Sequence, residues 1–204
     1  MSRRSVQALA LSTLPLMACS GMVYSILPVY FTRGLGASAT EVGIVFTAGA
    51  AAGALASPQA GRLSDRVGRK SVLLASMAGF TAAFALYALI STAAQAALIQ
   101  LLEGAAWAMF GSAASAYVAD VADVSERGWA MGVYQRVHYI GWAVGPVLGG
   151  YLADAIGFKV VLLLGASLTA VGLAALAASI KEAAPSLSLK ASSANPQATE
   201  AGRG

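Results

Sequence analysis

Long apolar stretches alternate with short charged segments along most of this chain. Residues 6–31 and 42–60 contain no Asp, Glu, Lys or Arg, and four further apolar stretches follow them. A helix needs roughly 17–25 residues to cross a bilayer. The pattern therefore predicts an all-α membrane protein with six transmembrane helices, at residues 6–31, 42–60, 71–90, 94–118, 129–153 and 160–180.

The composition agrees with lipid as the main solvent. Of the 204 residues, 58% are hydrophobic and 11% are charged, whereas soluble domains have about 45–50% and about 25%. The net charge of +4 lies mostly in short connecting segments, which suits a membrane surface and argues against nucleic acid as a partner. No arrangement typical of a nucleophile, a metal cluster or a phosphate loop occurs, so we predict neither an enzyme nor a cofactor.

The two ends of the chain need separate interpretations. Arg3 and Arg4 before an apolar stretch could mark a secretory signal, and residues 16–19 loosely match a lipoprotein cleavage site. The apolar stretch continues to Phe31, however, which favours a membrane span. Residues 181–204 are rich in Ser, Ala, Pro, Glu and Gln, so we expect a disordered cytoplasmic tail after a six-helix bundle at residues 1–180.

Residues 61–70 carry five charges between two apolar stretches. We predict a short charged turn between the second and third spans, in which glycines allow a tight bend. A solvated loop of a soluble protein is the alternative, and the long apolar flanks disfavour it.

The same pattern occurs a second time. The sequence G-x-L-x-D-x-V-G-x-K of residues 61–70 returns as G-x-L-x-D-x-I-G-x-K in residues 150–159, that is, 89 residues later. Each copy joins the second and third helix of a set of three. Because three is odd, the second set enters the membrane from the opposite side, and the chain is predicted to be a three-plus-three inverted repeat.

Basic residues predict the orientation. Ten Lys and Arg residues lie on one predicted side and two, Arg33 and Lys159, on the other, with Arg136 inside a span. Cytoplasmic segments carry the excess of Lys and Arg. We therefore predict a multi-pass protein of the inner (plasma) membrane with both termini in the cytoplasm. The ten are Arg3, Arg4, Arg62, Arg66, Arg69, Lys70, Arg127, Lys181, Lys190 and Arg203.

The charged segment resembles the conserved loop of the major facilitator superfamily, whose pattern is G-x-L-A-D-R-x-G-R-K-x-x-L. Ser64 occupies the alanine position. The resemblance implies a conformational latch that holds the cytoplasmic ends of helices together in one state. The latch residues would be Gly61, Asp65, Arg66, Gly68, Arg69 and Lys70, and Leu63 and Leu73 also match the pattern.

A second motif lies in the fifth span. Residues 141–150 resemble the G-x-x-x-G-P-x-x-G-G motif of the family's exporters, the antiporter branch. The matching residues are Gly141, Gly145, Pro146, Gly149 and Gly150. Glycines at this spacing also form a groove for close helix contact, so simple packing is the alternative.

The fourth span contains two polar residues, Gln100 and Glu103. A carboxylate deep in the membrane costs about 2.5–3.5 kcal/mol on insertion scales, so we expect Glu103 to face the bundle interior or a cavity. The family often has R-x-x-Q-G here, and this chain has Gln100 in the arginine position, which argues against a proton relay through that arginine. Glu103 could serve transport or could be a hydrogen-bonded structural acid.

The resemblance covers residues 6–180 and implies the amino-terminal six-helix half of a transporter. It implies alternating access for a small solute, with proton-coupled efflux as the expected mode. The cavity wall would come from the first, fourth and fifth spans, and the candidate residues are Tyr24, Gln100, Glu103, Trp107 and Arg136. His138, on the glycine face of the fifth span, is expected to pack or hydrogen-bond.

The expected partners are a small solute, a proton, the lipid bilayer and a second six-helix unit. That unit would be another copy of this chain or a separate carboxy-terminal half, because small-residue surfaces on the second and fifth spans are expected to need a cover. Two alternatives stay open: a membrane-embedded assembly or regulatory subunit without transport, and an inactive truncated fragment.

Overall fold

A computed structural model describes residues 2–180, which form six long α-helices with very short connections. The helices are α1 (Ser2–Val29), α2 (Ala39–Val67), α3 (Arg69–Tyr87), α4 (Ala93–Val121), α5 (Arg127–Ile156) and α6 (Phe158–Ser179). A π-helical turn (Tyr30–Gly34) continues α1, and a short 3-10 turn (Val124–Glu126) precedes α5. No strand occurs among the described residues, and the all-α fold class is confirmed. The predicted tail, residues 181–204, lies outside the described part of the chain.

The charged segment is helical almost throughout, which corrects the predicted turn. α2 continues to Val67 and α3 begins at Arg69, so Gly68 alone connects them, with a φ of 98° that favours glycine. Gly61 lies inside α2, and a Cβ there would meet no atom within 4 Å. The physical reason is length: 29 residues of helix span about 44 Å, more than the hydrocarbon layer of about 30 Å, so charged turns of α2 can project beyond it.

The second copy of the repeat has the same backbone. Gly157 alone connects α5 and α6, with a φ of 86° and a ψ of 154°, against 98° and 151° at Gly68. Helix packing shows the same correspondence between the two sets of three helices. α1 of the first set packs along α5 of the second, as α4 of the second packs along α2 of the first. Likewise, α1 contacts α6 and α4 contacts α3. α3 and α6 contact each other. The predicted three-plus-three repeat is thus present in the backbone.

Glycines allow two very close helix crossings. At Gly104 of α4, a Cβ would lie 2.0 Å from the carbonyl oxygen of Gly49 and 3.1 Å from the backbone nitrogen of Gly53, both in α2. At Gly149 of α5, it would lie 2.3 Å from the carbonyl oxygen of Met22 in α1. The glycines at these two crossings are therefore covered within this bundle, while other small residues of α2, such as Ala50, Ala51 and Ala54, stay exposed.

Five helices of the described chain are long and apolar enough to cross a membrane: α1 with its π-helical turn, α2, α3, α4 and α6. α5 has 30 residues but is less apolar, because it contains Gln135, Arg136 and His138 as well as several glycines. It packs closely along α1, which is among the five.

Candidate functional site

A cavity of about 440 Å³ opens between α1, α2 and α4. Tyr24, Phe46, Trp107 and Gln100 supply its large side chains. The rest of the wall consists of small residues, namely Gly49, Ala50, Gly53, Ala54, Ser57, Gly104 and Ala108. The close α2–α4 crossing thus forms one side of the cavity, and aromatic rings with one amide form the other.

Tyr24 and Trp107 are joined directly. The indole Nε1 of Trp107 donates a hydrogen bond to the Tyr24 hydroxyl at 2.8 Å. The Tyr24 ring also lies 5.7 Å from that of Trp142 and 6.3 Å from that of Phe46, measured between centroids. Predicted cavity residues from two helices therefore meet, together with two rings that the sequence analysis did not single out.

Glu103 lies behind the cavity wall and is completely buried. Its Oε2 lies 2.9 Å from the hydroxyl of Tyr87 in α3, and the same hydroxyl donates to the Gln100 side-chain oxygen. Glu103 Oε1 has no hydrogen-bond partner among the described residues. No sequence pattern singles out Tyr87, because it is one aromatic residue in an apolar stretch. Its hydroxyl is the one feature that indicates a polar role.

Arg136 does not join this cluster. It is exposed on α5. His138, two residues on, is half-buried and stacks on Trp142 with centroids 6.3 Å apart and planes 10° apart, and its ring lies 6.1 Å from that of Trp107. The structure brings together four of the five predicted cavity residues, all except Arg136. Tyr24, Gln100 and Trp107 line the cavity, and Glu103 lies behind its wall.

Arg69 is the centre of a second polar cluster, at the α2–α3 connection. Its guanidinium donates to Asp65 Oδ1 at 2.5 Å, to Asp120 Oδ2 at 3.1 Å and to the Ser64 hydroxyl at 3.2 Å. Asp120 ends α4, so Arg69 ties three helices together. The Asp120 side chain is 14% exposed and that of Asp65 61%. The sequence did not predict Asp120 as a partner of Arg69. The signal that could have found it is an acid at the end of a predicted span, on the same predicted side of the membrane as the basic segment.

The other motif residues have different surroundings. Lys70 Nζ donates to the carbonyl oxygen of Ala177 at 2.7 Å, which links the start of α3 to the last turn of α6. Arg66 is exposed on α2. In the second copy of the repeat, Phe158 takes the place of Arg69, and its ring lies 5.6 Å from that of Tyr30 after α1. An aromatic contact thus stands where the first copy has an ion pair.

A third contact joins the start of α1 to the turn before α5. Arg3 Nη2 donates to Glu126 Oε1 at 2.6 Å, and the guanidinium lies 4.9 Å from the centre of the Trp129 ring. The hydrogen bond from Arg3 holds the pKa of Glu126 below its usual value. Its stabilising effect is present above the ordinary carboxyl pKa and is lost as the pH falls through the lowered one. Both groups are solvent-accessible, so the effect is small.

Comparisons with known proteins place this geometry in context. The chain is 37% identical over 117 residues to "Multidrug resistance protein MdtG" of Dickeya zeae (strain Ech586), a match that covers 57% of this chain and 28% of that protein. It is 39% identical over 66 residues to "Uncharacterized MFS-type transporter YqjV" of Bacillus subtilis (strain 168), which covers 32% of this chain and 16% of that protein. These matches span well under half of the relatives' length.

The fold and the family agree. The human organic anion transporter MFSD10 (TETRAN) superposes with a TM-score of 0.74 at 20% identity, over 90% of this chain and 49% of that one. The family model described as Major Facilitator Superfamily matches residues 9–201, nearly the whole sequence. The chain is therefore a multi-pass membrane protein that belongs to the Major Facilitator Superfamily, a family of transporters.

Proposed function

We propose that this chain forms one six-helix half of a transporter that exports a small solute by alternating access, coupled to the entry of protons. The observation that carries the proposal is the cavity between α1, α2 and α4, where Tyr24, Gln100 and Trp107 converge from two helices. Family membership supports transport, and the relative named for multidrug resistance supports export.

The lining of the cavity favours a particular class of solute. Three aromatic rings, one amide and a wall of small residues surround the space, and none of the lining residues in the described part of the chain is charged. Such a surface suits a molecule with a flat apolar body and one hydrogen-bonding group, because rings stack on rings and the amide orients the polar end.

The Arg69 cluster supports the role of a latch. It joins the ends of α2, α3 and α4 through Asp65 and Asp120, and Lys70 adds the end of α6. We propose that these contacts hold one conformational state and loosen in the other. Asp65→Asn is then expected to leave membrane insertion intact and to impair transport.

The proposed orientation has six spans with both termini in the cytoplasm, and cysteine labelling tests it. Ser64, in the charged segment, is buried and accepts from Arg69, so Val67, which is 52% exposed, is the better probe there. Single cysteines at Ser38, Val67, Ser125 and Ala155, in a chain with Cys19→Ala, would be exposed to an impermeant thiol reagent. From the periplasmic side we expect labelling at Ser38 and Ala155 alone. Labelling at Val67 and Ser125 instead would reverse the orientation.

A second six-helix unit is part of the proposal. In the most apolar stretch of α2, 17% is buried inside the bundle, whereas 67% of the corresponding stretch of α1 is buried. Much of α2 therefore presents an apolar surface that a second unit could contact. The unit would be another copy of this chain or a separately encoded half, related by an axis along the membrane normal.

Vesicles containing the protein test the function and the pairing together. Native mass measurement in nanodiscs, with the chain alone and co-expressed with its chromosomal neighbours, should show a pair. Vesicles that contain the pair should move an aromatic dye, such as ethidium, when a proton gradient is imposed and stop when it is collapsed. A monomer that transports the dye would remove the second unit from the proposal, and a pair that moves none would favour the non-transporting subunit.

A further inference from the structure

The buried acid Glu103 has surroundings that the proposed solute cavity does not explain. Its side chain is completely buried and outside the cavity wall. Its Oε2 lies within hydrogen-bond distance of the Tyr87 hydroxyl and the Tyr24 hydroxyl also approaches the carboxyl group, while Oε1 has no partner among the described residues. An ionised carboxylate is an acceptor at both oxygens, so this site lacks the donors that an anion needs.

The groups that face Glu103 do not supply a compensating charge. Tyr87 approaches from α3 and the Tyr24 hydroxyl from α1, and both are phenols, which carry no positive charge. α2 presents the backbone of Gly49 and Gly53 across Gly104, and His138 of α5 contacts Trp107, one turn further along α4 than Glu103. No ion pair with Glu103 occurs within residues 2–180. A buried carboxyl without a cation is neutralised by binding a proton, because the charged form is too costly there.

The hydrogen-bond pattern agrees with a protonated acid. The Tyr87 hydroxyl contacts two acceptors, the Gln100 side-chain oxygen and Glu103 Oε2, but a phenol has one proton to donate. With the Gln100 oxygen turned toward Tyr87, that proton goes to Gln100 and a protonated Glu103 supplies the hydrogen between Tyr87 and the carboxyl group. The result is a chain of donors that runs from Glu103 through Tyr87 to Gln100.

We propose that Glu103 is the group that binds and releases the transported proton, and that Tyr87 relays this proton to the cavity, where Gln100 controls access. Gln100 lines the cavity while Tyr87 and Glu103 do not, so water reaches the hydroxyl of Tyr87 only when the Gln100 side chain swings aside. Tyr87 then passes its own proton to water. The Glu103 O–H bond breaks, a new O–H bond forms on Tyr87, and a carboxylate and a hydronium ion result.

The role proposed for Glu103 rests on the proposed proton-coupled transport. The protonation of Glu103, however, can be tested without a solute. The full chain in nanodiscs at pH 7 should show an infrared C=O band of a protonated carboxyl group. We expect the band to be absent in Glu103→Gln and retained in Asp154→Asn, the matched control, because Asp154 is an acid exposed to solvent and lies outside the buried cluster. A wild-type chain without the band, or a band that survives Glu103→Gln, would overturn the assignment.

A second variant tests the relay and guards against a misfolded Glu103→Gln. In Tyr87→Phe the band should persist but shift in frequency, because the carboxyl loses its hydrogen-bond partner. After transfer into D₂O, exchange of the carboxyl proton should be at least several-fold slower than in the wild type. An unshifted band that exchanges at the wild-type rate would exclude the relay.

The outcomes separate this inference from the function it rests on. If the band and its exchange behave as expected but dye export ignores the proton gradient, the proton site stands and the proposed coupling fails. If export requires the gradient but the wild type shows no band, coupling stands and Glu103 is not its proton carrier.

Discussion

Gly104→Ala is expected to destabilise the bundle by about 3 kcal/mol, at the upper end of the usual cost of overpacking. The new Cβ would lie 2.0 Å from the Gly49 carbonyl oxygen and 3.1 Å from the Gly53 nitrogen. Both are backbone atoms, so no side-chain rotation relieves the clash, and α2 and α4 must separate. Because the same crossing forms one wall of the cavity, dye export should also fall.

The matched control lies two turns away on the same helix. At Gly111 a Cβ would meet no atom within 4 Å, so Gly111→Ala should cost nothing and could gain up to about 1 kcal/mol of helix propensity. Denaturant titration of the folded chain in mild detergent measures both free energies of unfolding. Equal midpoints for the two variants would show that the α2–α4 crossing is not as close as described.

The repeat supplies an independent check on α5. Gly149 and Gly150 are adjacent, yet a Cβ at Gly149 would lie 2.3 Å from the Met22 carbonyl oxygen, whereas one at Gly150 would meet nothing. Gly149→Ala should therefore lower the stability about as much as Gly104→Ala, and Gly150→Ala should not. This contrast also separates packing from any other role of the glycine-proline motif, because both residues belong to it.

Asp120→Asn is expected to lower stability more than Asp65→Asn, although the motif contains Asp65. Asp120 is 14% exposed and Arg69 17%, while Asp65 is 61% exposed. A hydrogen bond to a charged group that is shielded from water contributes about 1.5–3 kcal/mol, and an exposed ion pair at most about 1 kcal/mol. The same denaturant titration measures both losses.

Arg69→Gln completes a double-mutant cycle. Once Arg69 is replaced, Asp120→Asn should cost much less than it does in the wild type, since the partner is gone. High salt should reduce the effect of Asp65→Asn more than that of Asp120→Asn, because water and ions screen the exposed pair better. Equal losses for the two acids, or no coupling between Asp120 and Arg69, would contradict this account of the cluster.

Several features were predicted correctly because they depend on neighbouring residues. Apolar stretches of spanning length predict helices in lipid, and the six helices follow them. The repeated pattern with glycine before the third helix predicts the same connection twice, and Gly68 and Gly157 have nearly the same φ and ψ. The interpretation of residues 61–70 as a turn was wrong, because charge does not end a helix that is long enough to carry it beyond the apolar layer.

The sequence by itself determined the fold class, the repeat and the family, since hydropathy, glycine spacing and charge are properties of short stretches of chain. Only the tertiary structure decided which groups meet. Asp120 reaches Arg69 across 51 residues and Tyr87 reaches Glu103 across 16, through helix crossings that backbone contact at glycines makes possible. A local pattern cannot predict such pairs, because the partner of a buried charge is set by the angle and depth at which two helices pack.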